Sequence, residues 1–80
     1  MQVTIKAFGI TREIVNGREI TLEMPEGTTV ADLKKILYQR FPRLEALSSL
    51  FIAINAEYAQ DEHLLKQGSE VALIPPVSGG

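Results

Sequence analysis

Few side chains in this 80-residue chain have the types and spacing that reaction chemistry demands. There is no cysteine, so sulfur chemistry here must run without a side-chain thiol. The only histidine, His63 in "DEHLL", has no metal-ligating partners at useful spacing, reads as a surface-loop residue, and gives no reason to expect a metal site. "FGITREIVNG" does not match a glycine-rich phosphate cradle. What remains is backbone. The sequence closes on "PPVSGG", so the reactive group left to consider is the α-carboxylate of Gly80.

A free carboxylate is ionised at neutral pH and is a poor electrophile. It must first be activated, and the usual cellular route is an acyl-adenylate made with ATP. Lacking a phosphate-binding loop, this chain is expected to bind no cofactor and to be the substrate of a separate adenylating enzyme that uses the ATP. The residues before the carboxylate suit delivery. Pro75 and Pro76 hold φ near −65° and carry no N–H, so they cannot extend a sheet and should leave it extended. At about 3.1 Å per residue, the tail 75–80 reaches roughly 19 Å from the body. Gly79 and Gly80 let backbone pass where any Cβ would collide. A stiff root and a slim tip fit a narrow pocket of another protein.

The elements that must position this tail occupy residues 1–74, expected to be one domain. "VTIKAF" alternates Val3, Ile5 and Ala7 against Thr4, Lys6 and Phe8, and "EITLEM" sets Ile20, Leu22 and Met24 against Glu19, Thr21 and Glu23. Both are period-two strand signals. "GITREIVNG" between them is expected to be a connection closed by Asn16-Gly17, making the strands an antiparallel pair. "TTVADLKKILYQRF" is a helix, with Thr29 as cap, Asp32 completing a capping-box spacing, and Val30, Leu33, Ile36, Leu37 and Phe41 as one apolar stripe. Pro42 stops it, and "RLEAL" adds a short turn. "LFIAIN" is a continuous apolar strand expected near the centre, "AEYAQD" a weaker extended segment, and "EVALIP" the last strand, entered by a turn at Gly68 and ended by Pro75.

One helix cannot cover both faces of a sheet, so one face packs on the helix and the other meets water or a partner. The expected class is α+β: a β-grasp roll, a mixed sheet of four to five strands on one main helix, the first and last strands adjacent at its centre. If Val71 and Leu73 point to the helix, Ile74 points to the open face, next to the tail, where it favours docking. Tyr58 is read in the same way, and Phe8 either as docking surface or as packing on that second face. Arg12 and Glu13 read most simply as a solvated pair in the first connection.

Composition narrows the setting. The net charge of −2 argues against nucleic acid as main partner. Residues 44–80 carry Lys66 alone against Glu45, Glu57, Asp61, Glu62 and Glu70, an acidic bias able to steer that half toward a basic surface. "MQVTIKAFGITR" shows no secretory signal, no apolar run is long enough for a membrane helix, and the absence of cysteine fits a reducing compartment. A soluble, cytoplasmic protein without membrane contact is expected.

These residues carry a family resemblance. "VALIPPVSGG", preceded by "NAEYAQDEHLLKQGSE", resembles the C-terminal third of the small subunit of molybdopterin synthase, the MoaD-type sulfur carriers, which are ubiquitin-like β-grasp proteins. "TREIV" and "TTVADL" extend the likeness over nearly the whole chain, the ending being its specific part. The resemblance implies that Gly80 is adenylated by a MoeB-type enzyme and converted to a thiocarboxylate by a sulfur donor protein. The tail, Pro75, Pro76, Val77, Ser78, Gly79 and Gly80, would then enter a large MoaE-type subunit in a heterotetramer. There the sulfur would build the dithiolene of molybdopterin on a cyclic pyranopterin phosphate. It also makes Arg12 a candidate partner contact beside Ile74, Tyr58 and Phe8. Three other readings stand against it. They are a thiamine-pathway carrier, which also ends in Gly-Gly, a protein modifier joined through Gly80 to lysines, and an interaction domain with an inert tail.

Overall fold

A computed structural model describes residues 1–76 of the chain. The first alternation forms strand β1 (Gln2–Ala7), which buries Val3, Ile5 and Ala7. The second forms β2 (Glu19–Glu23), antiparallel to β1 with Val3 opposite Leu22 and Ile5 opposite Ile20. The segment between them differs from expectation. Instead of an irregular connection it holds a short helix, α1 (Ile10–Val15). Its six residues are too few to display a helical period, but Thr11 and Val15, four apart, are both buried. The Thr11 hydroxyl starts the turn, accepting from Phe8 N at 2.7 Å and donating to Phe8 O at 2.6 Å. Asn16, at φ 62°, is the left-handed C-cap, so Asn16-Gly17 ends a helix rather than closing a hairpin.

The main helix α2 (Val30–Arg40) starts and stops as its sequence dictates. Thr29 Oγ1 accepts from Asp32 N at 3.2 Å, and Thr29 N donates to Asp32 Oδ2 at 3.1 Å. Hydrogen bonding to the carboxylate from Thr29, its backbone N–H foremost and its side chain second, holds the Asp32 carboxyl below its ordinary range, with a smaller pull from Lys35. Two further N–H groups of the first turn find carbonyls in the loop that follows the fourth strand: Val30 N donates to His63 O (2.9 Å) and Ala31 N to Asp61 O (3.0 Å). Lys34 reinforces that seam through Asp61 at 2.8 Å. Val30, Leu33 and Leu37 enter the core, while Ile36 and Phe41 pack at its margin. Pro42 then opens α3 (Pro42–Glu45), one turn that buries Leu44.

The second half supplies β3 (Phe51–Ile54), β4 (Glu57–Tyr58) and β5 (Glu70–Ile74). The sheet order is β2-β1-β5-β3-β4, with β1 and β5 parallel and the other pairs antiparallel. β5 is therefore the middle strand, and the more continuously apolar β3 lies one place out, covered at its outer edge by β4. Val3, Ile5, Leu22, Ile52, Ile54, Val71 and Leu73 meet Val30, Leu33 and Leu37 in one core. Each fully buried aliphatic of this set contributes about 1.5–3 kcal/mol relative to exposure. Among the described residues the helices lie on the core side or at the ends, and no element of those residues covers the opposite face of the sheet. No helix among the described residues is long and apolar enough to cross a membrane.

Candidate functional site

Side chains alternate along a strand, so those not in the core must emerge together on the bare face. Register assembles them into rows. Lys6, Ala72, Ala53 and Tyr58 are consecutive partners across β1, β5, β3 and β4, and Ile74 faces Phe51 in the next row. The small residues Ala53 and Ala72 make a low floor. Around it Phe8, Ala56, Tyr58 and Ile74 complete a shallow groove of about 290 Å³. Phe51 stands beside it, 55% exposed, in an edge-to-face contact with Tyr58 (centroids 5.8 Å apart, planes at 64°). Tyr58 is 75% and Phe8 40% exposed, so this is apolar surface rather than a second core.

Local structure fixes each wall. Asn55 and Ala56 both have positive φ, 50° and 72°, the two-residue hairpin turn that brings β4 back against β3. Asn55 Oδ1 accepts from Glu70 N (3.2 Å) and Asn55 N donates to Glu70 O (2.9 Å), tying that turn to β5. At the other wall Arg12 Nε donates to Ala7 O at 3.0 Å, and its guanidinium sits 5.7 Å from the Phe8 ring centre. Lys6 and Glu70 pair at 3.0 Å on the polar rim.

The structure thus brings three expected docking residues, Phe8, Tyr58 and Ile74, to one groove, with Arg12 stacked behind Phe8. The expected Arg12–Glu13 pairing is absent among the described residues. Helix α1 turns Arg12 back onto Ala7 and Phe8, where a carbonyl and an aromatic face take its charge. Phe8 lies in the groove wall and is exposed. Pro75 and Pro76, both half-buried, follow directly on β5. Val77, Ser78, Gly79 and Gly80 lie outside the described residues. His63 is exposed, and its carbonyl, not its ring, is what α2 uses. Sequence reasoning missed Phe51, Ala53, Ala56 and Ala72. In the structure Ile52 and Ile54 enter the core, so Phe51 before them and Ala53 between them face outward. The unbroken apolar run concealed that alternation.

Chemically, the described groove offers no nucleophile, no acid–base pair and no group of three or more His, Cys, Asp or Glu side chains able to hold a metal among the described residues. It can bind an apolar surface. A mixed five-stranded sheet wrapped on one main helix, with parallel first and last strands at its middle, defines a ubiquitin-like β-grasp protein. Within that class the ThiS family model matches residues 5–80, and the chain belongs to the ThiS family. A curated protein of Chlamydomonas reinhardtii, named molybdopterin synthase sulfur carrier subunit, is 37% identical over 83 residues, covering 100% of each chain. Among solved structures, the small archaeal modifier protein 1 of Methanosarcina acetivorans superposes with a TM-score of 0.81 at 28% identity, covering 99% of this chain and 96% of that one. A chain from the complex of subunits 1 and 2 of the molybdopterin-converting factor of Helicobacter pylori 26695 gives 0.71 at 26% identity, covering 100% of both.

Proposed function

We infer that this chain is the sulfur-carrying small subunit of a molybdopterin synthase, working in the cytoplasm. The observation that carries the reading is the junction of site and tail: the middle strand ends at Ile74 in the apolar groove and passes straight into Pro75-Pro76. A partner that covers the groove therefore receives the start of the tail. The complex of two subunits in Helicobacter pylori and the name of the Chlamydomonas relative support a large, MoaE-type subunit as that partner.

In this reading the Gly80 carboxylate attacks the α-phosphate of ATP on a MoeB-type enzyme, releasing pyrophosphate and leaving an acyl-adenylate. Sulfide-level sulfur from a sulfur donor protein attacks the acyl carbon, the bond to AMP breaks, and the thiocarboxylate remains. In the large subunit that sulfur attacks a side-chain carbon of a cyclic pyranopterin phosphate, and the carbon–sulfur bond forms as a carbon–oxygen bond at that carbon breaks, its oxygen leaving with the phosphate or as water. Water then cleaves the acyl–sulfur bond and restores the carboxylate. Two rounds build the dithiolene, and the chain itself holds no cofactor.

The test is mass. With the adenylating enzyme, ATP and sulfur donor, the intact chain should gain one sulfur-for-oxygen exchange located on its C-terminal peptide. A single residue added after Gly80 should block it, since the carboxylate would then be displaced and sit beside a Cβ. Equal sulfuration and sulfur transfer by the extended chain would remove the physical basis of the reading. The likeness to a modifier protein favours a second one, conjugation through Gly80. It predicts lysine-linked adducts of higher mass in cells, where a pure carrier gives none. A thiamine-pathway carrier would instead be sulfurated normally yet fail to bind the large synthase subunit.

A further inference from the structure

Gly9 stands at the turn between β1 and α1 with φ 56° and ψ −134°, a backbone conformation that only glycine adopts without strain. It also touches a residue far away in sequence. A Cβ built on Gly9 would lie 3.1 Å from Cγ of Pro75, the first residue past β5. The turn is held firmly under that contact: Thr11 binds both backbone groups of Phe8, Arg12 N donates to Gly9 O at 3.1 Å, and Arg12 Nε ties back to Ala7 O. On its other side, Ala7 and Leu73 are partners in the parallel ladder, so the ends of β1 and β5 leave the sheet together.

We propose that Gly9 is a positioning residue for the tail: the β1–α1 turn is a seat for the Pro75 ring, and the missing Cβ sets the heading on which the chain leaves β5. Two constraints act on that heading. Proline fixes its own φ, and the seat fixes where the ring lies. Its consequence for sulfur transfer rests on the carrier reading above, whereas the heading itself does not. Groove contacts govern how tightly a partner holds the body; the seat governs whether the reacting end arrives aligned.

The experiment compares the full chain with Gly9→Ala and Gly27→Ala. Gly27 also has positive φ, 89°, but open space around its Cβ position, so it is a positive-φ substitution that meets no tail residue. The direct readout is the Cα–Hα residual dipolar coupling of Pro75 and Pro76. In the unsubstituted chain these should fit the alignment of the β5 residues. In Gly9→Ala they should depart from it while Ala72 and Leu73 stay, and in Gly27→Ala nothing should move. With the large subunit, kcat for transfer should fall about 10- to 100-fold in Gly9→Ala, as misplacement of a reacting group does, with Kd within about twofold. A Gly9→Ala chain that melts earlier but keeps its couplings and kcat makes Gly9 an ordinary turn residue and overturns the proposal. Should the unsubstituted chain transfer no sulfur, the carrier reading fails, and the couplings still decide the seat.

Discussion

Replacing Ile74 with Asp separates docking from folding, because its neighbour in β5 does the opposite job. Leu73 is completely buried under α2, whereas Ile74 is half-buried on the bare face opposite Phe51. In the free chain, Ile74→Asp gives up part of one aliphatic burial, about 1 kcal/mol, and some strand preference, up to about 1 kcal/mol more. The new carboxylate still reaches water, so no buried charge is created. At roughly 0.05–0.15 kcal/mol per residue, a chain of this size holds about 4–12 kcal/mol, and it should remain folded.

In the complex the balance changes. A partner closing over the groove would leave that carboxylate without solvent or a designed partner, a cost of about 3 kcal/mol or more, which is roughly 150-fold in Kd. Arg12, beside Phe8, and Lys6, on the rim, are cations that could soften this cost, so an Ile74→Asn twin shows whether they do. Leu73→Ala is the mirror image. It should lose about 2.7–5 kcal/mol of stability through its cavity while its folded fraction binds normally. Calorimetric titration with the large subunit, alongside thermal melts, reads both quantities. If Ile74→Asp unfolds the chain as Leu73→Ala does and its folded fraction binds with unchanged Kd, the groove is not the docking surface.

Two further outcomes follow from contacts in the body. Thr29→Ala should cost about 1 kcal/mol by removing the side-chain half of the capping box. The carboxyl half has a pH signature: the folded Asp32 pKa lies below its usual 3.8, so its stabilisation is present above that value and fades as pH falls through the depressed one. The melting-temperature gap between the unsubstituted chain and Asp32→Asn should therefore close in acid, and a gap that widens there would contradict the cap. Phe51→Ala and Tyr58→Ala should be non-additive in stability by about 0.5–1 kcal/mol, the size of an edge-to-face pair; additivity would mean that the two rings rest together without attraction.

What could be foreseen depended on how far apart the determining residues lie. The limits of α2 were legible because the capping box and Pro42 act within a few residues. The face of Ile74 was legible because "EVALI" alternates buried and open positions. Phe51 was hidden by the same logic in reverse: a run with no polar member shows no faces, and only pairing with β5 and β4 assigns them. Helix α1 was hidden by its length, since six residues complete less than two turns and its two buried positions, Thr11 and Val15, make no stripe. The contact between Gly9 and Pro75 could not be seen at all, because it joins the two ends of the chain through the parallel pairing of β1 and β5.

On the carrier reading, that last contact bears on how a β-grasp body would serve its tail. Parallel neighbours at the centre of a sheet finish at the same end, so the turn after β1 always stands beside the exit from β5. The turn after the first strand can therefore supply the proposed seat, through Gly9, and part of the groove wall, through Phe8. The last strand supplies Ile74 and the tail itself. Docking and heading are thus set by adjoining residues on one rigid pair of strands. A change in the fit of the groove need not disturb the alignment of the tail, and the two can be varied independently by Ile74 and Gly9.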